Sequence, residues 1–364
     1  MTSTYRADCR HFRGDVPCAP HKAHQVHCPS CSWYEPTHGR ILIIKLGAVG
    51  DVIRSTPILH PLRRDYPHAV IHWLTHTPEV VPAVVHRIHR WRLEDILYLQ
   101  ATEFELVINL DKDQEACALA SMLRAKHKRG FLLKNGVPAP ADAAAEQKFL
   151  TGLFDDLAKA NTKSYPQELF EICGYTFAGE PYILDNFAKD GYRWDIPQPR
   201  PLVGLNTGCG TRWKSRLWPE EYWARLATAL RDRGIGVVLL GGPQEHEKNQ
   251  RLAQATGAGY LGHFPLRQFI NLVDQVDLVV TAVTMALHVA IGLGKRIVLF
   301  NNTFNRHEFE LYGLGEILEP DFTCDCFYAE ECPNNCMQYL LPEVVLNSCL
   351  RQLQNVRTGG DHGA

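Results

Sequence analysis

From Arg40 onward, apolar runs of strand length alternate with amphipathic stretches of helix length, and this alternation leaves the chain few folds to choose from. Arg40–Leu46 (RILIIKL) is a continuous, β-branched run of the kind buried on both faces of a sheet. A small-residue turn, Gly47–Gly50, follows it, and Asp51 opens an amphipathic segment through Arg64. Val70–Thr75 and Leu106–Leu110 read as further strands, with Pro78–His89, Gln114–Leu123 and Ala144–Leu157 as helices. A polar, Pro-containing stretch at 186–201 breaks the series, which then resumes. Its second half predicts strands at Leu202–Asn206, Gly236–Leu240, Leu278–Thr281 and Arg296–Phe300. The intervening helices fall at Pro219–Arg233, Gln244–Ala255, Leu266–Val276 and Thr284–Leu293. Such alternation produces a parallel sheet covered on both faces. A length of 364 residues exceeds what one core usually supports. The expectation is an α/β protein with parallel-sheet domains at 39–185 and 202–350 and a linker at 186–201. A Cys/His-rich extension occupies 1–38, and a tail at 351–364 is expected to be disordered after Thr358.

Charge and hydropathy exclude several functions. A formal net charge of -2 argues against a general nucleic-acid binder, which is normally basic. No apolar run reaches the roughly 20 residues of a membrane span. The opening MTSTYRADCRHFRGD lacks the apolar centre of a secretory signal, so a cytoplasmic location is expected. This reading still admits peripheral membrane contact and oligomerisation.

Ligands of parallel-sheet domains bind beyond the carboxyl ends of the strands, so loops directly after strands carry the candidate chemistry. Lys45, Gly47, Gly50 and Asp51 lie in the first such loop. Glycines let a ligand approach backbone closely, and Asp51 could act as a general base or simply cap a helix. Thr207 and Gly208 stand in a second loop, Asn206–Pro219, which also holds Arg212, Lys214 and Arg216. Small residues, positive charge and a helix start suit a diphosphate, although a solvated basic loop has the same composition. Glu245, after Gly241–Gly242, could accept from ribose hydroxyls or stabilise its own helix through the dipole. Thr284 heads a further helix, with its hydroxyl available to phosphate, and His288 follows one turn later.

Taken together and in order, four segments resemble glycosyltransferase family 9, which contains the heptosyltransferases of lipopolysaccharide core. They are ILIIKLGAVGDVIRSTPIL, GLNTGCGTRWKSRLWPEEYWARLA, VVLLGGPQEHE and LVVTAVTMALHVAIGLGKRIVLF. The resemblance spans about Arg40 to Leu350. It implies two Rossmann-like domains facing across a cleft, the glycosyltransferase B type, with acceptor on the first and nucleotide-sugar on the second. It also implies inverting transfer without a catalytic metal, ADP-heptose as the favoured donor, and a lipopolysaccharide, glycan, lipid-linked, protein or small-molecule acceptor. Asp51 falls on the family's general base, Arg216 on a basic residue that meets donor phosphates, and Glu245 on the glutamate near the ribose. Thr284 and His288 fall on the family's Asp-Thr-Gly-x-x-His stretch. Here Val283 and Met285 replace the acid and the glycine, which puts the donor's identity in question. A sugar-nucleotide epimerase and a non-catalytic, metal-stapled binding protein are the alternatives.

Cysteine placement adds a separate expectation. Cys9, Cys18, Cys28 and Cys31, with His21, His24 and His27 between them, would give residues 1–38 a structural metal site. A CxxC pair commonly supplies two ligands of tetrahedral zinc, and metal binding would order a segment that has no apolar core. Iron is the other metal considered, an iron–sulfur site the variant form, and reduced thiols on a loose tail the plain reading. A second, less regular cluster is Cys324, Cys326, Cys332 and Cys336, holding zinc or iron alone or jointly with the first. Joint ligation would need the C-terminal segment to cross back to the first domain.

Overall fold

The computed structural model describes residues 4–189 and 191–359. The first sheet contains β1 (Arg40–Ile44), β2 (Val70–Leu74), β3 (Arg87–His89), β4 (Glu103–Asn109), β5 (Arg124–Lys134) and β6 (Val137–Pro140). Their order is β3-β2-β1-β4-β5-β6, parallel except for the β5–β6 hairpin. The second sheet contains β7 (Leu202–Asn206), β8 (Gly236–Leu240), β9 (Leu278–Ala282), β10 (Arg296–Phe300) and β11 (Gly315–Leu318). It is wholly parallel, in the order β11-β10-β9-β7-β8. The α/β expectation of two parallel-sheet units is met. In each sheet the strand order reverses beside the first strand, so the loops after β1, β7 and β9 emerge at the crevice where such sheets bind ligands.

Helices over Glu220–Arg231, His246–Thr256, Leu266–Asp274 and Met285–Gly292 cover the second sheet. The main core runs from Ile41, Ile43 and Trp73 through Tyr182 to Val279, Leu287 and Ile297, so apolar packing joins the two halves. Asn305 Nδ2 adds a polar tie, donating to the carbonyls of Ala158 (2.7 Å) and Asn161 (2.6 Å).

Several expected elements differ. Pro78–His89 holds a short 3-10 turn at Pro78–Val80 and strand β3, because Pro82 and the β-branched residues disfavour a helix and Arg87–His89 add to β2 as an edge strand. The helix expected over 51–64 breaks into Val49–Arg54, a 3-10 turn at Thr56–Ile58 and Leu59–Asp65, around Pro57, which cannot donate within a helix. Ala144–Leu157 likewise divides into Ala143–Ala145, Glu146–Thr151 and Asp155–Ala160. Helices Leu93–Ala101 and Tyr165–Ile172, strands β5, β6 and β11, and the last helix were not expected.

That last helix, Pro342–Gly359, occupies part of the segment expected as a tail. Residues 360–364, most of the stretch expected to be disordered, lie outside the described residues. The helix packs Val345, Leu346, Cys349 and Leu353 against Trp218, Trp223 and Phe300 of the second half. The C-terminal segment therefore stays with its own sheet and does not carry cysteines to the first.

Candidate active site

Loops after β1, β7, β8 and β9 converge on one cleft of about 660 Å³. The first half contributes Gly50, Asp51 and Arg54, and the second Gly208, Arg216, Glu245, Thr284 and His288. Contact between the halves is close at this point. A Cβ added to Gly50 would lie 2.5 Å from Cδ2 of His288, so no larger residue fits without moving that ring. A Cβ on Gly208 would collide with the Glu245 carboxylate.

Asp51 sits in the first turn of Val49–Arg54, its carboxylate accepting from the Ala48 amide at 3.3 Å. The helix turn places Arg54 beside it, Nη2 to Oδ1 at 2.7 Å, and leaves the Asp51 side chain 32% exposed toward the cleft. Burial alone would raise its pKa, but the charges of Arg54 and Lys45, with His288 nearby, overcome this and bring it to about 2. Arg54 also lies 3.6 Å above the Tyr165 ring and 3.8 Å from Glu308. Tyr328 donates to Glu308 at 2.5 Å, and both of these residues line the cleft.

Opposite stands Arg216. It is buried, donates to the Val283 carbonyl, and has no carboxylate partner among the described residues. Burial lowers its pKa to about 10, so it remains cationic at neutral pH. An unneutralised guanidinium facing a cleft attracts a phosphate-like anion. Thr284 caps the helix Met285–Gly292, accepting from the Ala286 amide at 3.2 Å, and its hydroxyl meets Thr281 at 3.0 Å. Asn206 Nδ2 reaches the Gly208 carbonyl and the Thr281 and Thr284 hydroxyls, locking the β7 and β9 loops together. Glu245 is buried and accepts from the Gly242 amide at 2.8 Å. Burial, then the charge of Arg54, lowers His288 to about 3, and Asp51 only partly offsets this; the ring faces Tyr182 Oη at 3.4 Å.

Other residues singled out in the sequence lie elsewhere. Lys45 is buried under the first loop in an ion pair with Asp111, which also accepts from the Leu46 amide. Thr207 is buried and donates to Asn249 at 2.6 Å. Lys214 is exposed, 3.7 Å from Glu331. Gly47 belongs to the first loop but does not line the cleft. Sequence reasoning missed Arg54, Glu308, Tyr328 and Trp213. Arg54 had a readable signal, since i and i+3 share one helix face, and Trp213 lies in the β7 loop already singled out; Glu308 and Tyr328 depend on chain crossings no local pattern contains.

Beside this cleft the four late cysteines meet. Their sulfurs all lie within 4.8 Å of one another, with Cys324–Cys332 at 3.4 Å and Cys326–Cys336 at 3.6 Å. A tetrahedral thiolate site with bonds of about 2.3 Å has sulfur–sulfur edges of about 3.8 Å, so the set fits one metal ion. Asn302 donates to Cys336 at 3.2 Å, an outer contact of the kind that orients ligands. The same loop holds the Arg216 turn. The Ser215 amide donates to Glu330 O, Ser215 Oγ to Ala329 O, and Asn302 to Ser215 O.

Comparison with known proteins places this geometry in context. Residues 92–312 match the model of glycosyltransferase family 9 (heptosyltransferase). Lipooligosaccharide heptosyltransferase 2 of Haemophilus ducreyi is 25% identical over 272 residues, 66% of this chain and 72% of that protein. The solved structure of Escherichia coli ADP-heptose LPS heptosyltransferase II superimposes with TM-score 0.64 at 17% identity, covering 87% of this chain and 99% of that one. TibC of enterotoxigenic E. coli, described as an iron-containing dodecameric glycosyltransferase, superimposes with TM-score 0.53 at 13% identity, covering 88% and 77%. Among the described residues no helix is long and apolar enough to cross a membrane.

Proposed function

The chain belongs to glycosyltransferase family 9, and from that premise we propose that it transfers a heptose or related sugar from a nucleoside diphosphate donor to an acceptor hydroxyl, inverting the anomeric centre. One observation carries this reading: Asp51 of the first half and an Arg216 lacking a carboxylate partner in the second share a single cleft. Asp51 takes the proton from the acceptor hydroxyl as its oxygen attacks the anomeric carbon. The bond from that carbon to the diphosphate breaks on the opposite face. Charge developing on the departing diphosphate is met by Arg216 and by amides at the start of Met285–Gly292. Glu245 holds the ribose from the β8 loop.

ADP-heptose is the favoured donor and a lipopolysaccharide-type glycan the favoured acceptor, following the heptosyltransferases to which the chain is similar. Val283 and Met285 present apolar side chains to the cleft, so the sugar is held differently from one gripped by an acid there. A single iron or zinc ion on Cys324, Cys326, Cys332 and Cys336 braces the Arg216 turn; TibC, described as iron-containing, favours iron. Thiolate ligands stay available in the reducing cytoplasm, where we place the reaction.

Melting the protein against ADP-, GDP- and UDP-sugars, then assaying transfer to truncated lipooligosaccharide, tests the reading. A donor present at 100 times its Kd adds about 2.7 kcal/mol of stability. ADP-heptose is expected to give the largest shift and to be consumed only with acceptor present. No shift with any donor, and no transfer, would overturn it.

A further inference from the structure

Among the described residues only the late cysteines gather within 4.8 Å; the early four, Cys9, Cys18, Cys28 and Cys31, line a small pocket of the extension. Charge gathers inside the cleft instead, around Arg54. This guanidinium serves two carboxylates at once, one from each half. Nη2 meets Asp51 Oδ1 at 2.7 Å, while Nη1 lies 3.8 Å from Glu308 Oε2. Both partners of the longer pair are well buried, at 14% and 12% side-chain exposure, so solvent screens them little. Its length is beyond a hydrogen bond, whereas the Asp51 contact is not.

Glu308 is held from behind. It ends the 3-10 turn Arg306–Glu308, whose cap Asn305 is the residue tied to the Ala158 and Asn161 carbonyls of the first half. Its other oxygen, Oε1, accepts from the Tyr328 hydroxyl at 2.5 Å. Tyr328 belongs to the late cysteine loop and is fixed in turn, its amide donating to Thr303 O at 2.8 Å and its ring meeting Phe304 edge-on at 5.0 Å. Oε2 is thereby left facing Arg54.

We propose that Glu308 is a positioning residue for the transfer: it shares Arg54 with Asp51 across the two halves and so keeps the guanidinium from committing fully to the base. The assignment rests on the proposal that Asp51 is that base. A cation divided between two carboxylates favours each charged form less than one devoted to a single carboxylate, and the charge on Glu308 itself opposes that of Arg54 at Asp51. Asp51 is otherwise faced by Lys45 and by His288, which burial keeps neutral. Arg54 is otherwise faced by the rings of Tyr165 and Tyr182. Without Glu308, Arg54 pairs with Asp51 alone, and the carboxylate pulls less on an acceptor hydroxyl.

Initial-rate kinetics on four full-length proteins test this: the unmodified chain, Glu308→Gln, Arg54→Met and the double variant, each checked by thermal melting. Glu308→Gln is expected to lower kcat by about three- to tenfold and to change donor and acceptor KM by less than about twofold. In the Arg54→Met background the same change is expected to lower kcat by less than about twofold, because nothing remains to share. Equal losses in both backgrounds, or no loss in either, would overturn the proposal. A loss from Glu308→Gln as large as that from Asp51→Asn would also overturn it, by making Glu308 the base. Full activity in Asp51→Asn would remove both readings, whereas equal Glu308 losses with Asp51→Asn inactive remove this one alone. Should Glu308→Gln fail to fold, Glu308→Asp, which keeps the charge but shortens its reach, enters the same cycle.

Discussion

Asp51 is held ionised by the same neighbour that weakens it as a base. Arg54 at 2.7 Å keeps the carboxylate charged far below neutral pH, yet a carboxylate of pKa about 2 has little pull on a hydroxyl proton. Three outcomes follow at this scale. Asp51→Asn keeps the shape of the loop and should lower kcat/KM by about 10²- to 10⁴-fold with little change in melting temperature, measured by transfer and thermal melts. Asp51 should also contribute no acid limb to kcat/KM between pH 4 and 8, because its proton leaves below that range. Arg54→Met removes the largest charge that lowers the pKa, so an acid limb should rise into the ordinary carboxylate range. A pH profile of kcat/KM for the two proteins checks the direction.

At the scale of elements, the late cysteine loop acts as a strut. Backbone of Ala329 and Glu330, between the second and third cysteines, holds Ser215, which precedes Arg216. Withholding the metal proposed for these cysteines should release that turn while leaving the sheets intact. Cys336→Ser is expected to raise donor KM by about tenfold, equivalent to about 1.4 kcal/mol of lost positioning, with a smaller effect on kcat. Steady-state kinetics with varied donor separates the two; an equal fall in kcat would assign the loop to the chemical step. Legibility also varied by element. Strands β1, β7, β8 and β10 could be read because they are buried on both faces and so show unbroken apolar runs. The β5–β6 hairpin was signalled by Asn135–Gly136, both at positive φ, but β5 is polar enough to hide its strand character.

For the whole molecule, buried neutral histidines set an acid limit. Burial, reinforced by nearby positive charge, lowers His72 to about 2, His288 to about 3 and His86 to about 4. Below the ordinary value of about 6.5 the unfolded chain binds protons that the folded chain refuses, so unfolding free energy falls as pH falls. Denaturant midpoints should decline between about pH 6.5 and 4. His72→Asn should reduce that slope, and an unchanged slope would remove His72 from the account.

The sequence alone determined the two-sheet α/β plan, because strand and helix periodicities and buried apolar runs are local properties of the chain. It also marked the loops that line the cleft by their position after strands, and the cysteines by their spacing. Tertiary structure decided which loop residues face one another. Lys45 turned down to Asp111, Thr207 to Asn249 and Lys214 out to Glu331, while Arg54, Glu308 and Tyr328 entered the cleft. Side-chain direction in a loop depends on partners more than 60 residues away, as between Lys45 and Asp111, and no local pattern encodes them.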